Sequence, residues 1–358
     1  IALTGKEVIM MLSMQTKLTE QMQFLSQPKE KLLSIRGKEL YETLNSLGLT
    51  HTQFFRAIGT DIEEYCAREF GVDLYQITVE RFFQTDPNAK WLFPDLVRES
   101  VISGMTGKPV YSQLIIRDER IESAVYDVPY VKESEEEEEL RNVGEGAVIP
   151  ESEIRYGNRI IQLQKLGRGI LASYEVIRRM SVDMLRVHLR RMGECLGRNL
   201  DKRLAYVLAY GDMSGETSPE VLNTETANIW KYTDLVRAFL HLTTKNFFHP
   251  THLLANSDTM EKIMSLPEIT DSALFDFAKS GNLPTPLGVK LVPMSDHPEN
   301  CFTLLDSRYA VQKLTEQDVL VESDRLIHQQ WDRSYLTVVT DFAIIYRKAR
   351  VVMRCDWS

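Results

Sequence analysis

The chain has little of what metal, redox or membrane proteins need. Its 358 residues include four cysteines, Cys66, Cys195, Cys301 and Cys355, far apart and with no CxxC among them. That excludes the usual zinc and dithiol spacings, and the thiols read as small buried side chains in a reducing compartment. The two closest histidines of the second half, His249 and His252, are separated by Pro250 and Thr251 with no Cys or acid beside them, so no metal site is expected. No apolar run reaches the roughly 18 residues that span a bilayer. The first residues do not show a basic region, an apolar core and a cleavage site in order, so no secretory leader is expected. There is no P-loop and no local nucleophile signature. No catalytic, cofactor-binding or metal-ligating residue is therefore assigned, and the chain is expected not to be an enzyme.

What is present is an ordinary globular composition, 43% hydrophobic and 26% charged, with ample material for a core. Its charge is unevenly placed. The stretch ESEEEEELRNVGEGAVIPESE, residues 133–153, holds nine Glu and one Arg, a net of −8 out of −9 for the whole chain. The remainder is close to neutral. The block lacks the spaced Asp/Asn ligands and central Gly of a calcium loop. Alone it would be solvated and disordered, yet extended sequence flanks it on both sides.

Residues 5–100 read mostly as helices. KEKLLSIRGKELYETLNSLG ends on Gly48, THTQFFRAIGTDIEEYCAREFG on Gly71, and a short helix follows Pro94. ELYETLNSLGLTHTQFFRAIG, at residues 39–59, has the order helix, Gly turn, helix. That order fits a DNA-reading helix-turn-helix or an ordinary helical hairpin. From residue 110 the pattern turns to strands. IESAVYDVPYV (121–131) and EIRYGNRIIQLQKLG (153–167) read as two arms of a long hairpin with the acidic block near its tip. A lone hairpin is barely stable in water, so the arms must lie on this chain or on another copy.

SVDMLRVHLRRMGECLGRNLDKRLAYVLAYG is the strongest helical pattern. Ser181 is the expected N-cap, Asp183 sits in the first turn, and Gly211 follows the last. Val182, Leu185, Leu189, Met192, Leu196, Leu200 and Leu204 fall on one face, and Arg179, Arg186, Arg190, Arg191, Arg198 and Lys202 on the other. Gly193 and Gly197 lower helix stability by about 1 kcal/mol each relative to Ala. Their presence suggests that another backbone approaches closely. The basic face admits three readings: a solvated face, contact with a phosphate backbone, or ion pairing with the acidic tip of another copy through Glu135, Glu136, Glu137, Glu138 and Glu139.

LGRGILAS (166–173) matches G-x-G-x-x-A before a helical run. A dinucleotide site would need a second parallel strand ending in an acid about 20 residues on. The chain instead stays helical, and a glycine requirement where hairpin joins helix is the expectation. Residues 225–322 alternate short elements: a helix, then HLLANSDTMEKIMSL as strand and helix capped by Ser257 or Asp258, then the buried strands LGVKLVPM and CFTLLD. The β-rich SYLTVVTDFAIIYRKARVVM is expected to return to the long helix and complete the sheet beneath it.

This order resembles the major capsid protein of tailed double-stranded DNA phages, the Hong Kong 97 fold. VGEGAVIPESEIRYGNRIIQLQKLGRGILASYEVIRRMSVDML looks like that family's hairpin return running into its spine helix. HPTHLLANSDTMEKIMSL, PLGVKLVPM and TLLDSRYAV look like its axial domain, and TVVTDFAIIYRKARVVM like its closing strands. The resemblance implies an α+β chain in five parts: a largely helical N-terminal arm (1–107), an extended hairpin loop (108–168), a peripheral domain with the spine helix (169–224), an α/β axial domain (225–322) and a closing β segment of the peripheral domain (323–358). It implies hexamers and pentamers in an icosahedral shell around double-stranded DNA, held without sequence specificity and without a membrane. A portal, a scaffolding protein and a maturation protease are the implied partners, the bacterial host cytoplasm the place of assembly, and the virion capsid the destination. Some members crosslink a hairpin Lys to a neighbour's Asn, but no local motif marks Lys132 or Lys165 for that role. An encapsulin compartment shares the fold; the long segment before Trp91 favours the phage form. A helix-turn-helix regulator using residues 39–58 is the alternative of another class.

Overall fold

The computed structural model describes residues 19–357 apart from 80–92, 132–153, 156–158, 271–285, 327–330 and positions 36, 48, 50, 61, 72, 74–76, 108, 129 and 215–216. The chain divides into two compact bodies. One comprises Ile1–Gly107, Gly167–Cys195 and Val319–Thr337; the other comprises Lys108–Leu166, Leu196–Asp318 and Val338–Ser358.

Helix α1 (Lys29–Ser34) starts directly after Pro28, whose ring presets the backbone for a helix start. α2 (Gly37–Leu47), α3 (His51–Ala57) and α4 (Ile62–Phe70) follow, and Gly59 and Gly71, both at φ +63, supply the left-handed residues after the last two. α5 spans Phe93–Thr106. Leu32, Leu40, Leu44, Phe54, Phe55, Tyr65, Cys66 and Leu96 from these helices form one buried core. Its aromatic rings are in contact, with centroids 5.3 Å apart for Phe54–Phe55 and 4.6 Å for Phe55–Tyr65. His51, Phe54 and Phe55 are buried on the inward face of α3, so α2–α3 packs on this core as a helical hairpin.

The second body holds the predicted excursion. β1 (Asp118–Arg120) precedes β2 (Val125–Asp127) and β3 (Tyr130–Val131), and β4 (Ile154–Arg155) and β5 (Ile160–Gln162) return antiparallel beside them. Asp127 faces Ile160 and Tyr130 faces Arg155, so three steps outward are matched by five on the return. Its inner face, Tyr126, Val128, Ile161 and Leu163, packs on Leu314, Val339 and Ala343.

β6 (Gln164–Ser173) is one continuous strand and absorbs the glycine-rich LGRGILAS. The glycines therefore lie inside a strand, where no phosphate-binding turn forms. A Cβ on Gly167 would lie 3.2 Å from Leu336 O and 3.3 Å from Thr337 Cγ2, so close packing within the strand favours glycine there. α6 (Tyr174–Arg179) follows, and then α7 (Val182–Tyr210), 29 residues or about 44 Å long. Ser181 Oγ accepts Met184 N–H at 3.2 Å, and Gly211 at φ +103 ends the helix, as predicted. The predicted apolar stripe is buried at Val182, Leu189, Leu196, Leu200 and Leu204 and half-buried at Leu185 and Met192. Gly193 has the expected close neighbour. A Cβ there would overlap Val101 O of α5 and lie 2.8 Å from Met105 N, while one on Gly104 of α5 would overlap Arg190 O. Gly197 is also buried.

The remaining elements are β7 (Glu220–Asn223), α8 (Tyr232–Leu240), β8 (His252–Ala255), α9 (Ser257–Met264), β9 (Lys290–Pro293), β10 (Cys301–Leu305), β11 (Val311–Leu326), β12 (Trp331–Ile344) and β13 (Arg350–Arg354). β1, β11, β12 and β6 form a four-stranded sheet in that order; β7, β13, β10, β8 and β9 form a five-stranded one. The cap of α9 is Asn256, whose side chain accepts Thr259 N–H at 2.8 Å, one residue before the predicted Ser257 or Asp258. The closing segment also divides. β12 joins the four-stranded sheet, as expected, but β13 pairs with β10 and β7 in the five-stranded sheet. The reason is burial. Val351, Val352 and Met353 are apolar and buried on both faces, which suits a central strand whose edges are paired by β10 and β7 and whose faces are covered by other layers. His297 lies beneath this sheet, its Nε2 2.9 Å from Thr303 Oγ1; burial pushes its imidazole down to about 4, so it is neutral at pH 7.

The glycine crossing gives a prediction. Gly193→Val forces α5 and α7 apart and should cost about 1–3 kcal/mol or more. A urea unfolding midpoint equal to wild type would show that the backbones are not in contact.

Candidate intersubunit contact site

The basic face predicted for the long helix is on the outside of α7. Arg190, Arg191, Arg198 and Lys202 are exposed and Arg186 is half-buried. Two of them already have acids within the chain: Arg191 pairs with Glu194 one turn on, and Lys202 Nζ lies 3.3 Å from Asp296 Oδ1. Such exposed pairs contribute about 0–1 kcal/mol each, so both cations can exchange partners at small cost. Glu135, Glu136, Glu137, Glu138 and Glu139 lie outside the described residues.

The arm that carries those glutamates is tied down at its root. Arg159, just before β5, donates from Nη2 to Asp212 Oδ2 at 3.1 Å and to Ile344 O at 2.6 Å, and from Nε to Ser214 Oγ at 3.4 Å. Asp212 is buried just beyond Gly211. Its carboxylate accepts Ser214 Oγ–H and Thr217 Oγ1–H at 2.7 Å each, Ile344 N–H at 2.8 Å and Ser214 N–H at 3.1 Å. Burial alone would push the carboxyl up; the donors from Ser214, Ile344 and Thr217 outweigh it and hold it below the usual carboxylate range. One anion thus joins the return arm, the loop after α7 and the end of β12.

Two further pairs fix the C-terminal half of α7. Arg203 meets the buried Asp341 of β12 in a two-pronged bridge of 2.8 and 3.0 Å. Arg350, fully buried, donates to Leu208 O at 3.0 Å and to Thr217 O, placing a cation on one of the last carbonyls of the helix and on the loop beyond it. Asp201 accepts Tyr111 N–H at 2.8 Å and Val110 N–H at 3.3 Å; burial raises its carboxyl and these bonds pull against it. Sequence reasoning missed Arg159, Asp212 and Asp341. Asp341 could have been found, since a lone acid inside the apolar run TVVTDFAII needs a buried partner.

Among the described residues no three His, Cys, Asp or Glu side chains are grouped to hold a metal ion, and no helix is long and apolar enough to cross a membrane. What the geometry offers is surface: a ribbon with Val125 and Ile160 exposed on its outer side, and the basic side of a long helix.

Comparison with known proteins adds to this. Residues 157–323 match a family model described as phage capsid protein. No curated protein matches the chain. Among solved structures, the capsid of the native GTA particle is similar with a TM-score of 0.53 at 14% identity, over 71% of this chain and 90% of that one. A chain from Mycobacterium phage Che8 is similar with a TM-score of 0.50 at 16% identity, over 70% of this chain and 93% of that one. The holo encapsulin complex of Synechococcus elongatus gives a TM-score of 0.48 at 13% identity, over 70% of this chain and 88% of that one.

The root of the arm yields a prediction. Asp212→Ala leaves Arg159 buried without its anion and should cost about 3–5 kcal/mol at pH 7. Because the folded carboxyl is depressed, its stabilisation is complete above the ordinary carboxylate value and is lost as pH falls through the lower folded value. Wild type should therefore lose stability below about pH 4 more steeply than the variant. Parallel acid profiles in urea titrations would contradict the assignment.

Proposed function

We infer that this chain, a major capsid protein of the Hong Kong 97 type, closes its shell by laying its extended arm and the basic face of α7 against neighbouring copies. It is a structural protein that assembles with itself into a multimeric shell, the capsid of a virion. The observation that carries the proposal is the ribbon β2–β5. Its inner face is packed, its root is bolted by Arg159, and its outer face leaves Val125 and Ile160 uncovered. Such a ribbon gains stability from a further surface, and a neighbouring copy supplies one.

In this reading hexamers and pentamers build the icosahedral head. The helical segment to residue 107 is the arm, 108–168 the extended loop, and 225–322 the axial domain, now with β13 included in its sheet. A portal, a scaffolding protein and a maturation protease complete the assembly in the host cytoplasm, and the enclosed double-stranded DNA is held without sequence specificity. No catalytic role is proposed. Each contact can be modest because every subunit is held by several neighbours at once.

The ion-pairing reading extends to the tip. Glu135, Glu136, Glu137, Glu138 and Glu139 of one copy reach Arg186, Arg190, Arg191, Arg198 and Lys202 of the next. The charges suit this: residues 176–210 hold eight Lys/Arg and three Asp/Glu, against −8 in the acidic block.

Expressed with scaffold and imaged by negative-stain electron microscopy, the chain should give capsomers, tubes or closed particles. A monodisperse monomer or dimer at high concentration would sink the shell reading. Changing Glu135, Glu136, Glu137, Glu138 and Glu139 to Gln should weaken assembly and flatten its salt dependence; unchanged assembly and salt response would leave the acidic block a solvated tip.

A further inference from the structure

Phe247 is the most exposed large apolar side chain among the described residues, at 79%, and its backbone is left-handed, with φ +59. A bulky residue is strained in that region, and a phenyl ring left in water forgoes the free energy of burial. The neighbours hold it there. α8 runs into a single π turn, His241–Lys245, where Asn246 N–H donates to His241 O at 3.2 Å and Phe248 N–H to Leu242 O at 3.0 Å. Asn246 is buried, and its Nδ2 donates to Lys348 O at 2.9 Å and to Glu220 Oε2 at 3.3 Å. Phe248 packs against Tyr309 and Tyr346, with ring centroids 5.7 and 6.0 Å away. Residues 246 and 248 are thus both pinned, and the ring between them points out. Strain held in place by its surroundings beside a π turn is found mostly at functional positions.

The rim of this ring is basic and aromatic. Lys245, two residues before it, is exposed, and Lys348 is tied to Asn246 by the bond just given. Burial pushes the Glu220 carboxyl up, but His241, Asn246 and the charge of Arg347 hold it below the usual range. Tyr309 is 45% exposed, with the Arg308 guanidinium over its ring at 5.6 Å. Among the described residues of 217–220, 241–249, 306–309 and 345–349, the acids are Glu220 and Asp306 and the bases Lys245, Arg308, Arg347 and Lys348. Both acids are engaged within the chain. Glu220 Oε2 lies 2.6 Å from His241 Nε2, and Asp306 accepts Arg308 Nε at 2.9 Å, Arg308 Nη2 at 2.8 Å and His249 N–H at 3.2 Å. Positive charge is therefore in surplus around two exposed rings.

We propose that this corner of the subunit binds single-stranded nucleic acid, with an unpaired base stacked on Phe247 and the flanking phosphates on Lys245 and Lys348. Exposed rings set among cations suit any sequence, because every base has a π-face and every linkage a phosphate. A duplex keeps its base faces covered except at its ends, so it gains only the charge attraction. That attraction alone would not require a ring in a strained backbone position. The site lies within one subunit and does not depend on the shell reading.

The test titrates the unassembled full chain into fluorescein-labelled oligothymidylate and into a labelled duplex of mixed sequence, reading anisotropy over a range of salt. Wild type should bind the single strand about tenfold or more tighter than the duplex. Phe247→Gly and F247N, both at ease in the left-handed region, should each weaken single-strand binding about tenfold, with melting temperature unchanged or raised. F247W keeps a stacking surface and should bind at least as tightly as wild type. K245Q combined with K348Q should weaken binding of both nucleic acids and flatten its salt dependence. No binding by wild type, or equal binding by wild type and F247N, overturns the proposal. A duplex held as tightly as the single strand makes the surface a charge contact only and overturns it as well. Failure of F247W to bind, with a wild-type melting temperature, has the same consequence. Shell formation enters none of these readouts.

Discussion

Four hydrogen bonds from Ser214, Thr217 and Ile344 and one ion pair from Arg159 converge on the carboxylate of Asp212. A buried carboxylate is tolerated only when its oxygens are satisfied, and here that requirement organises what surrounds it. It places the loop after α7 against the last residue of β12. It brings Arg159 inward, and with it the base of the extended arm. In the proposed assembly a fixed root matters, because a loose one would spend binding energy on ordering the arm when it docks.

The same economy explains where charge is buried and where it is not. Arg203–Asp341 and Arg350 have well-aligned partners in the interior and fix the end of α7. Two outer cations of that helix, Arg191 and Lys202, make exposed pairs. Interior pairs thus determine the subunit's shape, and exposed ones remain available for exchange. A shell protein needs this division. Its contacts are repeated many times and can be individually weak, so function is spread over surfaces, and the described residues show a ribbon and a helix face.

Much of this was legible in the sequence. The 29-residue helix, its Ser181 and Gly211 ends and its buried stripe follow from local chemistry that reads the same in any context. The two arms of the hairpin followed from period-two alternation. The close approach at Gly193 followed because glycine is costly in a helix unless something occupies the place of its Cβ. Other features were not legible. The cap of α9 fell on Asn256 because Asn, Ser and Asp stand side by side and all can cap. LGRGILAS fits a turn motif by its letters, but pairing with β12 made it a strand. Of the six cations assigned to the helix face, Arg191 and Lys202 have acids at hand, one nearby in sequence and one 94 positions away.

By itself the sequence determined the elements, the uneven charge and the lack of ligand-binding motifs, because propensity, periodicity and composition are properties of neighbouring residues. Only the tertiary structure decided which charges are buried and with whom, that β13 leaves the closing strands for the five-stranded sheet, and that Phe248, Tyr309 and Tyr346 gather in one aromatic cluster. Those facts depend on strand register and on contacts between residues more than a hundred positions apart, such as Arg203 with Asp341 or Asp212 with Ile344. No local pattern encodes them, since the free energy that selects them comes from satisfying groups that meet only once the chain has folded.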